Sequence, residues 1–155
     1  MDSSMIIKDL IQLDMQVENQ NDFFAKMSEI LFAKGFVKET YYQALVTREE
    51  AYPTGLPTQP YPIAIPHADA VHIITPFVAA VRLAKPIAWC EMATSDVWHD
   101  VQLIFVLGFI KGDGHVEMLQ LLVDNLQDQD LMDRLLNAKT VDEYYQEIIN
   151  IKGFD

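Results

Sequence analysis

Residues 101–110 read VQLIFVLGFI, and after Val101 only Gln102 is polar. A strand with one wet face alternates polar and apolar residues; this one does not, so both of its faces must be covered. It is the most hydrophobic run in the chain. That places it centrally in a sheet with helices on either side.

The flanking segments supply those layers. Ile11, Leu13, Met15 and Val17 alternate with Gln12, Asp14 and Gln16, the period of a half-buried strand. From Asn21 the period changes: Phe23, Phe24, Met27, Ile30 and Leu31 recur at helical spacing, with Asn21 or Asp22 as cap and Gly35 just past the end. A second helix covers about residues 41–50, with Tyr41, Ala44, Leu45 and Arg48 on one face, and Pro53 and Gly55 end it. The proline-rich PTGLPTQPYP reads as a loop that feeds a short strand at Ile63 to Ile65. FVAAVRL from Phe77 predicts another strand, and PIAWCEM from Pro86 a short one.

Beyond residue 110 the pattern is helical. Leu119, Leu122, Val123 and Leu126 form one stripe, and Leu131, Leu135 and Leu136 begin another. Thr140 to Glu143, TVDE, reads as a capping box that opens a last helix carrying Tyr144, Tyr145, Ile148 and Ile149. The order predicts an α/β chain: a three-layer α/β/α sandwich with a mixed β-sheet, a single domain over residues 1–155 with its core at about 10–150.

Composition narrows the function. The formal charge is −12, from 11 basic and 23 acidic side chains. Such a chain is repelled by nucleic-acid phosphates and anionic membranes and attracts basic protein faces. A single cysteine, Cys90, forms no internal disulfide and fits a reducing compartment. The N-terminus lacks the apolar core of a signal peptide, and no apolar run is long enough to span a bilayer. A cytoplasmic protein is expected.

Two of the four histidines stand beside backbone features that could hold them still. In IAIPH, Pro66 ends an apolar strand and His67 follows immediately. His115 follows Gly112–Asp113–Gly114 where a helix begins, a place that favours an anion. Strand ends of open α/β sheets are where ligands bind. A histidine there, with one nitrogen fixed, leaves the other as nucleophile or proton carrier. If the electrophile is phosphorus, the adduct needs nearby positive charge. Arg48, at a helix end before the proline loop, is the best-placed cation, and Thr54 with Gly55 could add a hydroxyl and amides.

Simpler alternatives remain open from the residues alone. His67 could merely bond a carbonyl at a strand end. Arg48 could pair with Glu49 or Glu50, and His115 could be an ordinary helix-start residue. His67, Asp69 and His72 could ligate zinc. Trp89 and Trp98 read as core or rim aromatics, His99 as an exposed strand-start residue, and Cys90 as a small apolar one.

TREEAYPTGL, IAIPHADAVH and VQLIFVLGFIKGDGHVEMLQLLVDNL, in that order, resemble the enzyme IIA domain of the bacterial sugar phosphotransferase system, fructose/mannitol type. The resemblance runs from about Leu10 to Ile149. LFAKGFVKETYYQALVTREEAYPTGL is most similar to galactitol-specific members. It implies a phosphotransferase without a cofactor: His67 as the phosphorylated carrier, Arg48 as the phosphate clamp and His115 as a supporting donor. The implied donor is the phosphocarrier protein HPr. The implied acceptor is a cysteine of enzyme IIB, which serves membrane enzyme IIC. Some members are regulatory instead, their phosphorylation state controlling partner binding. Pro53 stands where many members have a serine, so no role of that hydroxyl carries over, and the entry loop should be stiffer.

Overall fold

The structure, a computed structural model, describes residues 2–111 and 114–154. One mixed five-stranded sheet orders its strands β1–β4–β5–β3–β2, with β1 Gln12–Met15, β2 Gly55–Leu56, β3 Ile63–Ala64, β4 Phe77–Cys90 and β5 Trp98–Gly108. Strands β1 and β4 run parallel, as do β3 and β5, while β4/β5 and β2/β3 are antiparallel. Helices α1 (Gln20–Ala33) and α2 (Tyr41–Ala51) cover one face; α3 (Gly114–Asn125), α4 (Gln129–Asn137) and α5 (Val141–Ile149) cover the other.

The central apolar strand lies where its composition requires. Leu103, Phe105 and Leu107 of β5 face Met118, Leu122, Leu135 and Tyr144. Ile104 and Val106 face the opposite layer, with Phe23, Phe24, Met27 and Tyr41. Successive side chains point to opposite sides, so one strand joins two cores. Each such side chain is essentially fully buried, worth about 1.5–3 kcal/mol relative to exposure. The three-layer α/β/α sandwich follows.

Four local expectations change. The alternating segment at 11–17 forms only the short edge strand β1, because Asp14 takes a left-handed φ of 56° and the register slips between Gln12 and Met15. The two strand candidates at Phe77 and Pro86 are one strand, β4; its ladder is interrupted between Arg82 and Ile87, and Pro86, which has no amide to donate, sits in that irregularity. The proline-rich segment is not wholly loop, since Gly55–Leu56 pairs with β3. Helix α1 starts two or three residues early: Asn19 is its cap, accepting the Asp22 amide at 2.8 Å, while the Asp22 carboxylate accepts the Glu18 amide.

Other caps match their sequence. Gly35 adopts φ 82° beyond α1, where an L side chain would be strained, and Phe36 N–H donates back to Leu31. Thr140 accepts the Glu143 amide at 3.1 Å; the Glu143 carboxylate takes the Lys139 amide rather than that of Thr140. The expected glycine turn before His115 includes Gly112 and Asp113, which lie outside the described residues.

The bulge at Asp14 has a use. Arg82, buried in β4, donates through Nε and Nη2 to the two Asp14 carboxylate oxygens at 3.2 Å. Its Nη1 meets the carbonyls of Leu135, Leu136 and Ala138 at 3.0, 3.2 and 2.7 Å. A cation thus satisfies the orphan carbonyls at the end of α4 and ties that helix to the sheet. Arg82→Met should lower unfolding free energy by about 2–4 kcal/mol, since it strands buried carbonyls. Asp14→Asn, at the exposed end of the same pair, should cost under about 1 kcal/mol. Urea denaturation compares the two; equal losses would contradict the capping role.

Candidate active site

His67 is held by backbone from three directions. Pro66 stops the β3 ladder, but its carbonyl still accepts the Leu107 amide at 3.0 Å, so the chain stays against β5. Ile65 N–H donates to the Thr54 carbonyl at 3.1 Å. The Ile65 carbonyl in turn lies 2.9 Å from His67 Nδ1. A carbonyl only accepts, so Nδ1 carries the proton and Nε2 keeps the lone pair. The strand-end carbonyl bond is therefore present, and it leaves the other ring nitrogen unprotonated.

His115 joins His67 from the first turn of α3. The two imidazoles stack with centroids 4.6 Å apart and planes 23° from parallel. His115 Nε2 accepts the Phe109 amide at 3.3 Å, which assigns its proton to Nδ1, and the Phe109 ring meets it edge-on. Burial first, then the neighbouring His67 and Arg48, press the His115 pKa down to about 4. Burial also lowers that of His67, with Arg48 adding to the effect and the Ile65 bond and Asp69 opposing it. Both rings are neutral near pH 7.

Arg48 comes from the last turn of α2. Its partner is neither Glu49 nor Glu50: Nη1 lies 3.5 Å from Asp69 Oδ1, and the guanidinium sits 5.3 Å from the Tyr52 ring centroid. Its Nε is buried with no hydrogen-bond partner among the described residues. Arg48, His67 and His115 share one cleft of about 860 Å³, and Tyr52 and Val116 are exposed at its edge. Segments far apart in sequence thus bring together the three side chains singled out above.

Thr54 and Gly55 reach the same region differently. Thr54 lines the cleft, but its amide and hydroxyl both donate to the Glu49 carboxylate, at 2.7 and 2.6 Å. Gly55 is packed so closely on β4 that an added Cβ would lie 2.6 Å from the Cys90 carbonyl oxygen. Glu49 itself escaped the sequence reading. It is only 6% exposed, and Trp89 Nε1 donates to it as well, at 3.1 Å. The available signal was spacing: Tyr41, Leu45 and Glu49 are the buried residues of α2, so an acid occupies the core stripe. Burial raises the Glu49 pKa to about 7, against the lowering effect of its Thr54 and Trp89 bonds.

The remaining candidates are placed elsewhere. His72 Nδ1 lies 2.7 Å from the Thr40 hydroxyl. Among the described residues, no group of three or more His, Cys, Asp or Glu could hold a metal ion. His99 bonds Glu91 at 2.8 Å, and Cys90 is buried. Trp89 is buried edge-on to Phe23 and Phe24, whereas Trp98 is exposed. Among the described residues, no helix is long and apolar enough to cross a membrane.

Similarity to known proteins adds to this geometry. The family described as "Phosphoenolpyruvate-dependent sugar phosphotransferase system, EIIA 2" matches residues 4–151. The galactitol-specific EIIA component of Escherichia coli (strain K12) is 27% identical over 135 residues, covering 84% of this chain and 88% of that protein. The mannitol-specific enzyme IIA component of Staphylococcus aureus (strain N315) is 25% identical over 149 residues, covering 93% and 94%. The crystal structure of IIA mannitol from Escherichia coli shares the fold, with a TM-score of 0.75 at 20% identity over 92% of this chain and 98% of that one. With nearly its whole length matched, the chain belongs to the EIIA 2 family of the phosphoenolpyruvate-dependent sugar phosphotransferase system, phosphoryl carriers within that cascade.

Proposed function

We propose that this chain carries its phosphoryl group on Nε2 of His67, taking it from the phosphohistidine of HPr and passing it to a cysteine of enzyme IIB, which serves the membrane component enzyme IIC. The observation that carries this reading is the 2.9 Å bond between His67 Nδ1 and the Ile65 carbonyl, which leaves Nε2 as the nucleophilic nitrogen.

The chemistry balances without an added base. The Nε2 lone pair attacks phosphorus, the new N–P bond forms, and the donor's N–P bond breaks with its electron pair returning to the donor ring. The His67 ring, still protonated at Nδ1, becomes cationic, and the Ile65 carbonyl stabilises that N–H. In the second step a thiolate of enzyme IIB attacks phosphorus. The S–P bond forms, the N–P bond breaks, and His67 returns to its neutral state.

Equatorial oxygens carry the charge of a phosphoryl group in transfer, so the site needs a cation that costs nothing to reorient. Arg48 is that clamp, and its unpartnered buried Nε supports the role. His115 orients the His67 ring by stacking and, with its proton on Nδ1, serves as a supporting donor. Thr54 and Gly55 support the cleft wall rather than bind phosphate, because their polar groups are committed within the protein. The exposed edge around a narrow cleft suits two protein partners that visit in turn, and the charge of −12 favours basic donor faces. The transported compound is galactitol or a related polyol; support comes from the galactitol-specific relative.

Incubation with phosphoenolpyruvate, enzyme I and HPr should label the chain with one acid-labile phosphate on His67, and His67→Ala should take up none. Arg48→Ala should stay folded yet transfer about 10²–10³-fold more slowly, the size expected on losing one charge-stabilising group. Turnover near the parent's would remove the clamp assignment. Purified enzymes IIB of galactitol and mannitol systems, offered in parallel, test the substrate.

The lowered histidine pKa values set a pH dependence. A depressed pKa means that His67 is less protonated at pH 6.5 than an ordinary histidine, which is half charged there. Single-turnover phosphorylation should therefore keep more than half of its pH 7.5 rate at pH 6.5 and fall further in more acidic solution. A rate halved at pH 6.5 would contradict it. The same depression makes the two buried imidazoles destabilising in acid: unfolded histidines bind protons first, so their contribution to stability fades as pH drops below about 6.5.

A further inference from the structure

Behind the cleft, a chain of hydrogen bonds runs from a buried acid to the reactive ring. Glu49 accepts the Thr54 amide at 2.7 Å and the Thr54 hydroxyl at 2.6 Å. The Thr54 carbonyl accepts the Ile65 amide at 3.1 Å, and the Ile65 carbonyl faces His67 Nδ1 at 2.9 Å. Glu49 also neighbours Arg48 in α2, where the Tyr52 amide closes the helix on the Arg48 carbonyl at 2.7 Å.

We propose that Glu49 is a positioning residue for phosphoryl transfer: through Thr54 and Ile65 it sets the carbonyl that selects the His67 tautomer, and it ties the end of α2 that carries Arg48 to the strand that carries His67. The inference rests on His67 being the phosphoryl carrier.

Three features favour this over simple loop anchoring. Pro66 has no N–H, so between β3 and His67 the Ile65 amide is the last donor that can orient this backbone, and it is spent on Thr54. Thr54 is 2% exposed, and both of its donors end on one carboxylate. Trp89, fully buried, aims its only polar atom at the same pair, 3.1 Å from Glu49 Oε2 and 3.1 Å from the Thr54 hydroxyl. A carboxyl group is costly to bury, as its raised pKa records, and here every donor around it is met. Arg48 is the charge that acts on it from its own helix; Glu91 and His99 lie toward the Trp89 side, His99 opposite Trp89 in the β4–β5 register.

The bonds can be kept without the charge. In Glu49→Gln the amide oxygen can accept from Thr54 N–H and Trp89, and the amide nitrogen can donate to the Thr54 hydroxyl. Glu49→Ala can do neither. Thr54→Val removes the hydroxyl alone and serves if Glu49→Ala does not fold.

Two measurements are made on each folded variant. The first is the ¹⁵N imidazole spectrum of His67 in the isolated chain at pH 8, which needs no partner. The parent and Glu49→Gln should show protonated Nδ1 and bare Nε2, and Glu49→Ala a mixture of tautomers. The second is single-turnover transfer from phospho-HPr with its concentration dependence. Glu49→Ala should lose about 10–100-fold in the maximal rate with little change in half-saturation, as misplacement of a reacting group does. Thr54→Val should lose less, and Glu49→Gln should stay within about threefold of the parent.

Glu49→Ala or Thr54→Val with parental tautomer and rate overturns the proposal, as does Glu49→Gln behaving like Glu49→Ala. A parent that takes no phosphate on His67 overturns the carrier reading instead, while the tautomer spectra still judge the positioning role. As a check that Gln occupies the same site, Glu49→Gln should gain stability relative to the parent as pH rises from about 4.5 to 7, because folded Glu49 holds its proton longer than the unfolded chain does, while the opposite contribution of the two histidines is common to both proteins.

Discussion

Everything in this fold hangs on a strand that has no wet face. β5 places Leu103, Phe105 and Leu107 in one core and Ile104 and Val106 in the other. Burying both sides demands two helical layers, and β4 and β3 on its flanks complete its hydrogen bonds. The placement of His67 depends on this frame. The Leu107 amide holds Pro66 against the end of β5, so His67 leaves the sheet from a fixed point.

From that point the site is built by backbone more than by side chains. A carbonyl two residues before His67 sets its tautomer, and a backbone amide at Phe109 sets that of His115. Peptide groups in a packed sheet do not need to reorganise when charge appears on the ring, which is what a carrier that is loaded and unloaded repeatedly requires. Burial keeps both imidazoles neutral and leaves His67 with an unprotonated ring nitrogen, at the cost of stability in acid. Arg48 is the one permanent charge of the three. Its contact with Asp69 is long and on the exposed Asp69 side, so the pairing holds it only weakly.

Much of this was legible in the chain. The apolar run at 101–110, the helical stripes and the Thr140 cap led to the layer order. IAIPH and the Arg-Glu pair led to His67 and Arg48. What escaped had local causes. Asp14 breaks a well-formed alternation because a bulge lets its carboxylate reach Arg82, an interaction 68 residues away in sequence. Pro86 looked like the start of a new strand because ladder pairing across an irregularity has no local signature. Glu49 entered the sequence reading only as a possible ion-pair partner of Arg48, although its spacing from Leu45 marked the buried stripe.

The sequence by itself determined the layers, most helix ends and which side chains were candidates for the site, because periodicity, caps and residue chemistry are local. Tertiary structure alone decided which nitrogen of His67 is free, that His115 stacks upon it, that Arg48 faces Asp69, and that Thr54 answers to Glu49. Those outcomes depend on hydrogen-bond directions and distances between segments that meet only when both faces of β5 are covered.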